Sequence, residues 1–207
     1  FLKNKIKSFA SNLPVIVVGN LTIGGTGKTP LVKYIASELI KRGYKPGIVS
    51  RGYGGNFKET LKVEPDTPVI QTGDEAQILS KLNIPFYIDK NRVRAVETIS
   101  KNHDCDVIIS DDGLQHYNMK RDIEIAVIDG KRRFGNKLTF PAGPLRESIK
   151  RLNTVDFVVN NSGPSEENEF LMNISPSEFV HLRSGKTYGI EDWPMHKQIH
   201  AVAGLGN

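Results

Sequence analysis

The residues with the clearest capacity for chemistry form one glycine-rich stretch, Thr22–Thr29, with the sequence TIGGTGKT. It follows the apolar run 15–18 and precedes a helical pattern, so a strand would deliver a turn to a helix N-terminus. Backbone N–H groups and the positive end of the helix would then converge on a polyphosphate. Lys28 would reach the β- and γ-phosphates, and the Thr29 hydroxyl would complete the shell of a Mg²⁺ ion. The predicted phosphate-binding loop consists of Thr22, Ile23, Gly24, Gly25, Thr26, Gly27, Lys28 and Thr29.

Thr22 departs from the usual pattern of this loop, because it stands where the first glycine is expected. A β-branched residue rarely adopts positive φ, so we expect Thr22 to have negative φ. The alternative is a tight turn that is merely rich in glycine. Lys28 argues against it, since a cation at a helix start opposes the helix dipole unless an anion is bound.

Two pairs of acidic residues accompany the loop. Asp111 and Asp112 follow the apolar strand 106–110, and a carboxylate at such a strand end can hold Mg²⁺ or its water. Asp74 and Glu75 lie where a loop enters a helix, with Thr72 or Asp74 available as N-cap. Capping would explain only one of these two carboxylates, so at least one is a candidate catalytic group.

Further polar residues follow strand ends, where parallel sheets bind ligands. Arg51 and Tyr53 lie in a glycine-rich loop that is either a ligand contact or a flexible turn. His116 is either a hydrogen-bonded residue beneath its loop or a donor to a ligand. Arg146 is either a solvated charge or an anion contact in the basic, proline-rich segment 131–147.

Composition restricts the class of protein. The chain of 207 residues has 28 Lys+Arg and 23 Asp+Glu, a net charge of +5, which suits an anionic ligand or surface. It carries no zinc-finger or RNA-binding signature, so no nucleic-acid partner is expected. The single cysteine, Cys105, excludes intrachain disulfides. No stretch approaches the ~18 apolar residues of a membrane span, and no signal peptide is visible. Residues 1–9 form either a basic amphipathic helix on an anionic membrane or a solvated helix.

Strands alternate with helices along the chain, which predicts an α/β fold with a mostly parallel, three-layer sheet of the P-loop NTPase kind. The predicted strands cover residues 15–18, 46–50, 85–88, 106–110, 123–129 and 155–160, and the predicted helices begin near residues 30, 72 and 91. Residues 57–70 are predicted as strand and loop. Residues 162–193 are predicted as a peripheral β excursion before the sheet resumes at residue 200.

The motifs together resemble the tetraacyldisaccharide 4'-kinase family, the lipid A 4'-kinases of Gram-negative bacteria. The resemblance covers residues 14–207, and Thr22 in the phosphate loop is itself typical of this family. The motifs that carry it are VVGNLT with GGTGKTP, SRGYGG, GDE, DDGLQH, IDG with RFGN, and PAGPLRE.

The resemblance implies transfer of the ATP γ-phosphate to the 4'-hydroxyl of a lipid A disaccharide 1-phosphate precursor. The reaction would take place at the cytoplasmic face of the bacterial inner membrane, on an anionic membrane surface to which the protein binds peripherally. Asp74 would be the catalytic base and Glu75 a helper in the metal shell. Asp112 would be the principal Mg²⁺ aspartate, with Asp111 and Gln115 beside it. Nucleotide or lipid phosphate contacts are implied for Arg51, Tyr53, His116 and Arg146.

The resemblance also predicts the domain organisation. Residues 1–13 would be the remnant of a membrane-associating segment, and residues 14–207 a kinase core that continues beyond residue 207. That continuation would supply a lid domain and a histidine that works with the base. The alternative function is that of a P-loop GTPase or ATPase, either a regulator or a metal-insertion protein. A guanine-reading [NT]-K-x-D motif is absent from the sequence, and water as the acceptor would leave Asp74 and Glu75 harder to explain.

Overall fold

A sheet of eight strands with helices on both faces forms the body of the structure, a computed structural model that describes residues 9–176 and 178–192. The strands are β1 (Val15–Gly19), β2 (Pro46–Ser50), β3 (Leu61–Lys62), β4 (Phe86–Ile88), β5 (Val107–Asp111), β6 (Ile123–Asp129), β7 (Phe157–Asn161) and β8 (Glu169–Met172). Their order across the sheet is β3-β4-β2-β5-β1-β6-β7-β8. Neighbouring strands are parallel, except that β3 and β4 are antiparallel.

The remaining elements are four α-helices, one 3₁₀-helix and a separate hairpin within the described residues. The helices are α1 (Lys28–Lys41), α2 (Val69–Thr72), α3 (Asp74–Ser80), α4 (Arg92–Asn102) and the 3₁₀-helix Ile149–Thr154. The antiparallel hairpin consists of β9 (Glu178–Val180) and β10 (Thr187–Gly189). No helix in these parts of the chain is long and apolar enough to cross a bilayer.

Adjacent residues of the central strands enter two different apolar layers. Val17 and Ile108 pack in the layer that includes α4, whereas Val18 and Ile109 pack in the layer that includes α1 and α3. Each of these four side chains is completely buried. Parallel strands covered on both faces are apolar throughout, which explains the continuous apolar runs in the sequence. The three-layer α/β arrangement that the sequence predicts is therefore confirmed.

Most predicted elements are confirmed, and β2 and β6 have the predicted bounds. The peripheral excursion is only partly correct, because β8 pairs with β7 and extends the central sheet, while β9 and β10 form their own hairpin. Segment 57–70 contains β3 but also the first residues of α2. The predicted amphipathic helix over residues 1–9 and the strand near residue 200 lie outside the described residues, apart from Phe9.

The predicted N-cap of α3 is wrong. The cap is Gly73, which has φ 81° and ψ 162° and forms no side-chain capping hydrogen bond. Thr72 belongs to α2, and its hydroxyl donates to the Gly73 carbonyl at 3.2 Å. Gly73 packs so closely on the carbonyl oxygen of Tyr53 that a Cβ atom would overlap it. The chain therefore needs glycine here to bring Asp74 and Glu75 beside the loop after β2.

Gly73→Ala is expected to destabilise the protein by about 3 kcal/mol, because it combines a disfavoured φ with a backbone overlap. Gly43→Ala is the matched control, since Gly43 also has positive φ, 85°, but open space where the Cβ would lie. It is expected to cost only about 1 kcal/mol. Urea unfolding of both variants measures the two values. Equal losses would show that the contact with Tyr53 has no energetic weight.

Candidate functional site

The predicted phosphate loop connects β1, at the centre of the sheet, to the first residue of α1. Gly24 and Gly27 have positive φ, 102° and 91°. The side-chain amide of Asn20 donates to the Gly24 carbonyl at 3.2 Å. Lys28 and Thr29 are buried at the start of α1, whereas Ile23 and Gly25 are exposed. Thr22 is buried and is absent from the described non-glycine residues with positive φ, so its expected negative φ is confirmed.

Neighbouring elements hold the loop in place. The Ile23 amide donates to the Pro144 carbonyl at 2.8 Å, and the Arg132 guanidinium donates to the Ile23 carbonyl at 3.3 Å. From β7, the side-chain amide of Asn161 donates to the Thr26 carbonyl at 3.2 Å. The hydroxyl oxygen of Thr26 is buried and has no hydrogen-bond partner within the described part of the chain. A loop backbone held by its neighbours, with one buried hydroxyl left without a partner, is compatible with an anion site.

Lys28, Asp112 and Arg146 form a line of alternating charge at the mouth of this loop. The Lys28 ammonium lies 3.6 Å from an Asp112 carboxylate oxygen, and Arg146 Nη1 lies 2.9 Å from both oxygens of that carboxylate. Burial acts to raise the pKa of Asp112, but the charges of Lys28 and Arg146 outweigh it and lower that pKa. Asp112 is therefore an ionised group that positions two cations beside the loop.

Asp111 has the opposite environment. It is 1% exposed, one oxygen accepts a hydrogen bond from the Ser50 hydroxyl at 3.2 Å, and the other has no partner in the residues that the structure describes. Burial, reinforced by the negative charge of Asp112, raises the pKa of Asp111 to about 6, and the charge of Glu75 acts in the same direction. A buried oxygen without a partner is well suited to meet a cation.

Arg92 is a site residue that the sequence analysis missed. It is 2% exposed, and its guanidinium donates to the carbonyls of Asp89 and Asp111, each at 2.9 Å. Burial lowers the pKa of Arg92 to about 10 despite the nearby charge of Asp111. Arg92 is the first residue of α4, where a cation opposes the helix dipole. A cation in the first turn of a predicted helix was the signal, available from the sequence, that an acidic group lies nearby to compensate its charge.

Gln115 and the missed residue Glu147 connect the sheet edge to the phosphate loop. The Gln115 amide donates to the Asn20 carbonyl at 3.0 Å and to Glu147 at 2.7 Å. His116 follows, and its Nε2 atom is buried without a hydrogen-bond partner among the described residues. The interpretation of His116 as a hydrogen-bonded residue beneath its loop is therefore wrong for this nitrogen.

The remaining predicted residues lie in the loop after β2 and at the start of α3, at the carboxyl ends of the strands, which we call the opening of the site. Asp74 and Glu75 begin α3 and are exposed, as are Arg51 and Tyr53. Two of them act electrostatically on buried groups: the charge of Arg51 helps to lower the pKa of His116, and that of Glu75 helps to raise the pKa of Asp111. It shows no direct hydrogen bond from Asp74 or Tyr53 side chains to Lys28 or Asp112.

His116→Gln is expected to make the protein less sensitive to acid. Burial and the charges of Arg92, Arg121 and Arg51 lower the pKa of His116 from 6.5 to about 4. As the pH falls through this window, the unfolded chain takes up the proton first, so the wild-type free energy of unfolding falls by about 2 to 3 kcal/mol. The variant lacks this loss.

Urea unfolding of both proteins at about pH 7.5 and about pH 4.5 measures the effect. The raised pKa of Asp111 makes stability change in the opposite direction, but Asp111 is present in both proteins and cancels in the difference. If the variant and the wild type differ in free energy of unfolding by the same amount at both pH values, the lowered pKa of His116 is contradicted.

Known proteins with similar sequences and structures identify the family. The family model described as tetraacyldisaccharide-1-P 4'-kinase matches residues 1–207. Relatives named tetraacyldisaccharide 4'-kinase from Shewanella denitrificans and Nitrosococcus oceani are 45% and 47% identical over 97% and 94% of this chain. The chain spans 60% and 58% of their lengths.

The structural comparison agrees. A crystal structure described as "apo" form LpxK from Aquifex aeolicus in complex with ATP superposes with a TM-score of 0.71 at 30% identity. The superposition covers 81% of this chain and 56% of the Aquifex chain. Because the family model matches residues 1–207, the chain belongs to the tetraacyldisaccharide-1-P 4'-kinase family.

Proposed function

We propose that this protein transfers the γ-phosphate of ATP to the 4'-hydroxyl of a tetraacyldisaccharide 1-phosphate, a lipid A precursor. The observation that carries the proposal is the line of Lys28, Asp112 and Arg146 at the phosphate loop, in a chain that matches the kinase family over residues 1–207. The ATP named for the Aquifex neighbour supports the choice of nucleotide. The acceptor is a membrane lipid, so the reaction takes place peripherally at the cytoplasmic face of the bacterial inner membrane.

The loop binds the ATP polyphosphate through its backbone N–H groups and the N-terminus of α1. Lys28 supplies a compact positive charge, and its salt bridge to Asp112 aims the ammonium at the loop mouth. Arg146 shares Asp112 and offers further donors to a phosphate of ATP or of the lipid. Arg51, Tyr53, Gln115 and His116 surround the same opening and are proposed substrate contacts.

The residues fit a Mg²⁺ ion. Mg²⁺ is commonly held by one or two carboxylates together with substrate phosphates, so a cluster of three acidic or histidine ligands, which the described residues lack, is not required. The unpartnered oxygen of Asp111 fits better than Asp112, both of whose oxygens accept from Arg146. We therefore propose Asp111 and Thr29 as the principal ligands, with Asp112 and Glu75 next to them. When bound, Mg²⁺ neutralises charge on the phosphates.

Asp74 is the proposed proton acceptor. A sugar hydroxyl has a high pKa, so a carboxylate that takes its proton as the bond to phosphorus forms accelerates the transfer. Asp74 is exposed at the start of α3 and accessible to a bulky acceptor, and Gly73 fixes its backbone against Tyr53. Glu75, whose charge acts on Asp111, is the proposed helper in the metal shell.

Asp74→Ala is expected to lower phosphoryl transfer roughly 10²- to 10⁴-fold, the range for loss of a general base, and to change ATP affinity by less than about threefold. The assay follows labelled γ-phosphate from Mg-ATP to tetraacyldisaccharide 1-phosphate in detergent micelles. It uses the complete natural chain that contains residues 1–207. Asp66→Ala is the matched control, because Asp66 is an exposed aspartate between β3 and α2, away from the opening.

Two outcomes would count against the proposal. Release of labelled phosphate without lipid, and with no labelled lipid product, would identify water as the acceptor and favour a nucleotide hydrolase. Full activity of the Asp74 variant would leave the kinase assignment standing and remove Asp74 as the base.

Asp111→Asn is expected to abolish the gain in ATP affinity that Mg²⁺ provides, about tenfold, while affinity in EDTA changes little. Because burial disfavours the charged carboxylate, the neutral amide is expected to preserve the fold. Titration calorimetry with and without Mg²⁺ measures both values. Asp106→Asn is the control, because Asp106 immediately precedes the first residue of β5, whereas Asp111 is its last residue. An unchanged Mg²⁺ gain would exclude Asp111 as a ligand.

A further inference from the structure

The segment between β6 and the 3₁₀-helix presents bulky apolar side chains to solvent. Leu138 is 52% exposed and Phe140 is 68% exposed, and Pro141 and Ala142 beside them are exposed as well. Single exposed apolar residues are common on protein surfaces, but a leucine and a phenylalanine at one loop tip form a patch. We name residues 136–143 the tip loop.

The tip loop is firmly built. The Phe140 amide donates to the Leu145 carbonyl at 2.7 Å, and the Leu145 amide donates to the Leu138 carbonyl at 3.1 Å. The Asn136 side chain donates to the Ala142 carbonyl at 2.9 Å and accepts from the Leu138 amide at 3.1 Å. Leu145 itself is completely buried in the core. Hydrogen bonds that anchor the loop therefore also hold its apolar side chains outward.

The charged residues of the segment that carries the tip loop are almost all positive, and acidic residues from other segments pair with its arginines. Residues 131–151 contain seven Lys or Arg residues and one acidic residue, Glu147. Arg133 pairs with Glu169, and Arg151 pairs with Glu124. Lys131 and Lys137 are exposed and form no ion pair with any residue in the described ranges. Exposed apolar tips flanked by lysines complement an anionic lipid surface.

The base of the tip loop touches the phosphate loop. Thr22 and Leu145 form an antiparallel bridge, and the Pro144 carbonyl accepts from the Ile23 amide at 2.8 Å. The next residue, Arg146, bonds to Asp112. A surface that binds the tip loop is therefore brought next to the phosphate site.

We propose that the tip loop is a membrane-docking element: Leu138 and Phe140 enter the interface of an anionic bilayer, and Lys131 and Lys137 contact its phosphate headgroups. The purpose of this contact, presentation of a lipid acceptor to the phosphate loop, rests on the proposed function. The contact itself requires neither ATP nor the acceptor, so it is tested separately from the kinase reaction.

Phe140→Trp provides a local fluorescent probe when the single tryptophan of residues 1–207 is replaced by Trp193→Phe and any tryptophan outside this range is likewise replaced by phenylalanine. Vesicles of phosphatidylglycerol and phosphatidylethanolamine are expected to shift its emission to the blue, and brominated acyl chains are expected to quench it. The concentration of neutral phosphatidylcholine vesicles needed for half of the emission shift is expected to be about tenfold higher. Tyr44→Trp in the same background is the control. Tyr44 is 51% exposed and lies just before β2, at the amino ends of the strands, whereas the tip loop follows the carboxyl end of β6. Its emission is expected to stay unchanged.

A second variant tests the energetic contribution of the tip. Leu138→Ser with Phe140→Ser is expected to weaken partition onto anionic vesicles about tenfold while leaving ATP affinity unchanged. Because both side chains are exposed, the fold is expected to be unaffected, and urea unfolding checks this. The vesicles contain no acceptor lipid, so an inactive kinase would not affect the result.

Three results would overturn the proposal. An indole probe in the Phe140→Trp variant that stays water-accessible while the protein binds vesicles would place the contact elsewhere, for example in residues 1–9. Protection of the probe from iodide without vesicles would show that protein, either another segment or a second copy, covers the tip. Quenching that requires added tetraacyldisaccharide 1-phosphate would assign the tip to an acyl chain of the acceptor instead of the bilayer.

Discussion

The guanidinium of Arg92 supports the carboxyl edge of the sheet on which the whole site is built. It occupies a fully buried position and donates to the carbonyls that follow β4 and end β5, so two strand ends are fixed relative to each other. A buried charge is costly unless it is compensated, and here the compensation comes from carbonyls and from the nearby charges of Asp111 and Asp112. Removing Arg92 would therefore disturb both the position of the aspartates and their electrostatics.

The adjacent aspartates illustrate how position alone separates two identical side chains. Asp111 is the last residue of β5 and remains between the sheet and its helices, where burial favours the neutral form. Asp112 leaves the strand with φ 48°, which turns its carboxylate toward Lys28 and Arg146. One aspartate can thus meet a cation with an open oxygen, while the other orders the basic side chains that face phosphate.

The sequence was sufficient where local pattern determines structure. Buried parallel strands must be apolar throughout, so β2 and β6 could be bounded closely, and the order of glycines and Lys28 predicted the loop at the start of α1. It was insufficient where distant residues meet. The bond between Arg146 and Asp112, the contact of Gly73 with Tyr53 and the burial of Arg92 all depend on how separate strands are placed in the sheet. Capping rules failed at α3 because close packing, which allows only glycine, outweighed the hydrogen bond of a capping side chain.

The segment after β6 joins three features that would otherwise be independent. Leu145 is anchored in the core and bridges to Thr22, Arg146 holds Asp112, and the tip loop projects Phe140 into solvent. These residues are connected by short backbone hydrogen bonds, so little flexible chain lies between the tip and the phosphate loop or Asp112. A surface that holds the tip loop would therefore hold it beside Leu145 and Arg146, the residues that contact the phosphate loop and Asp112.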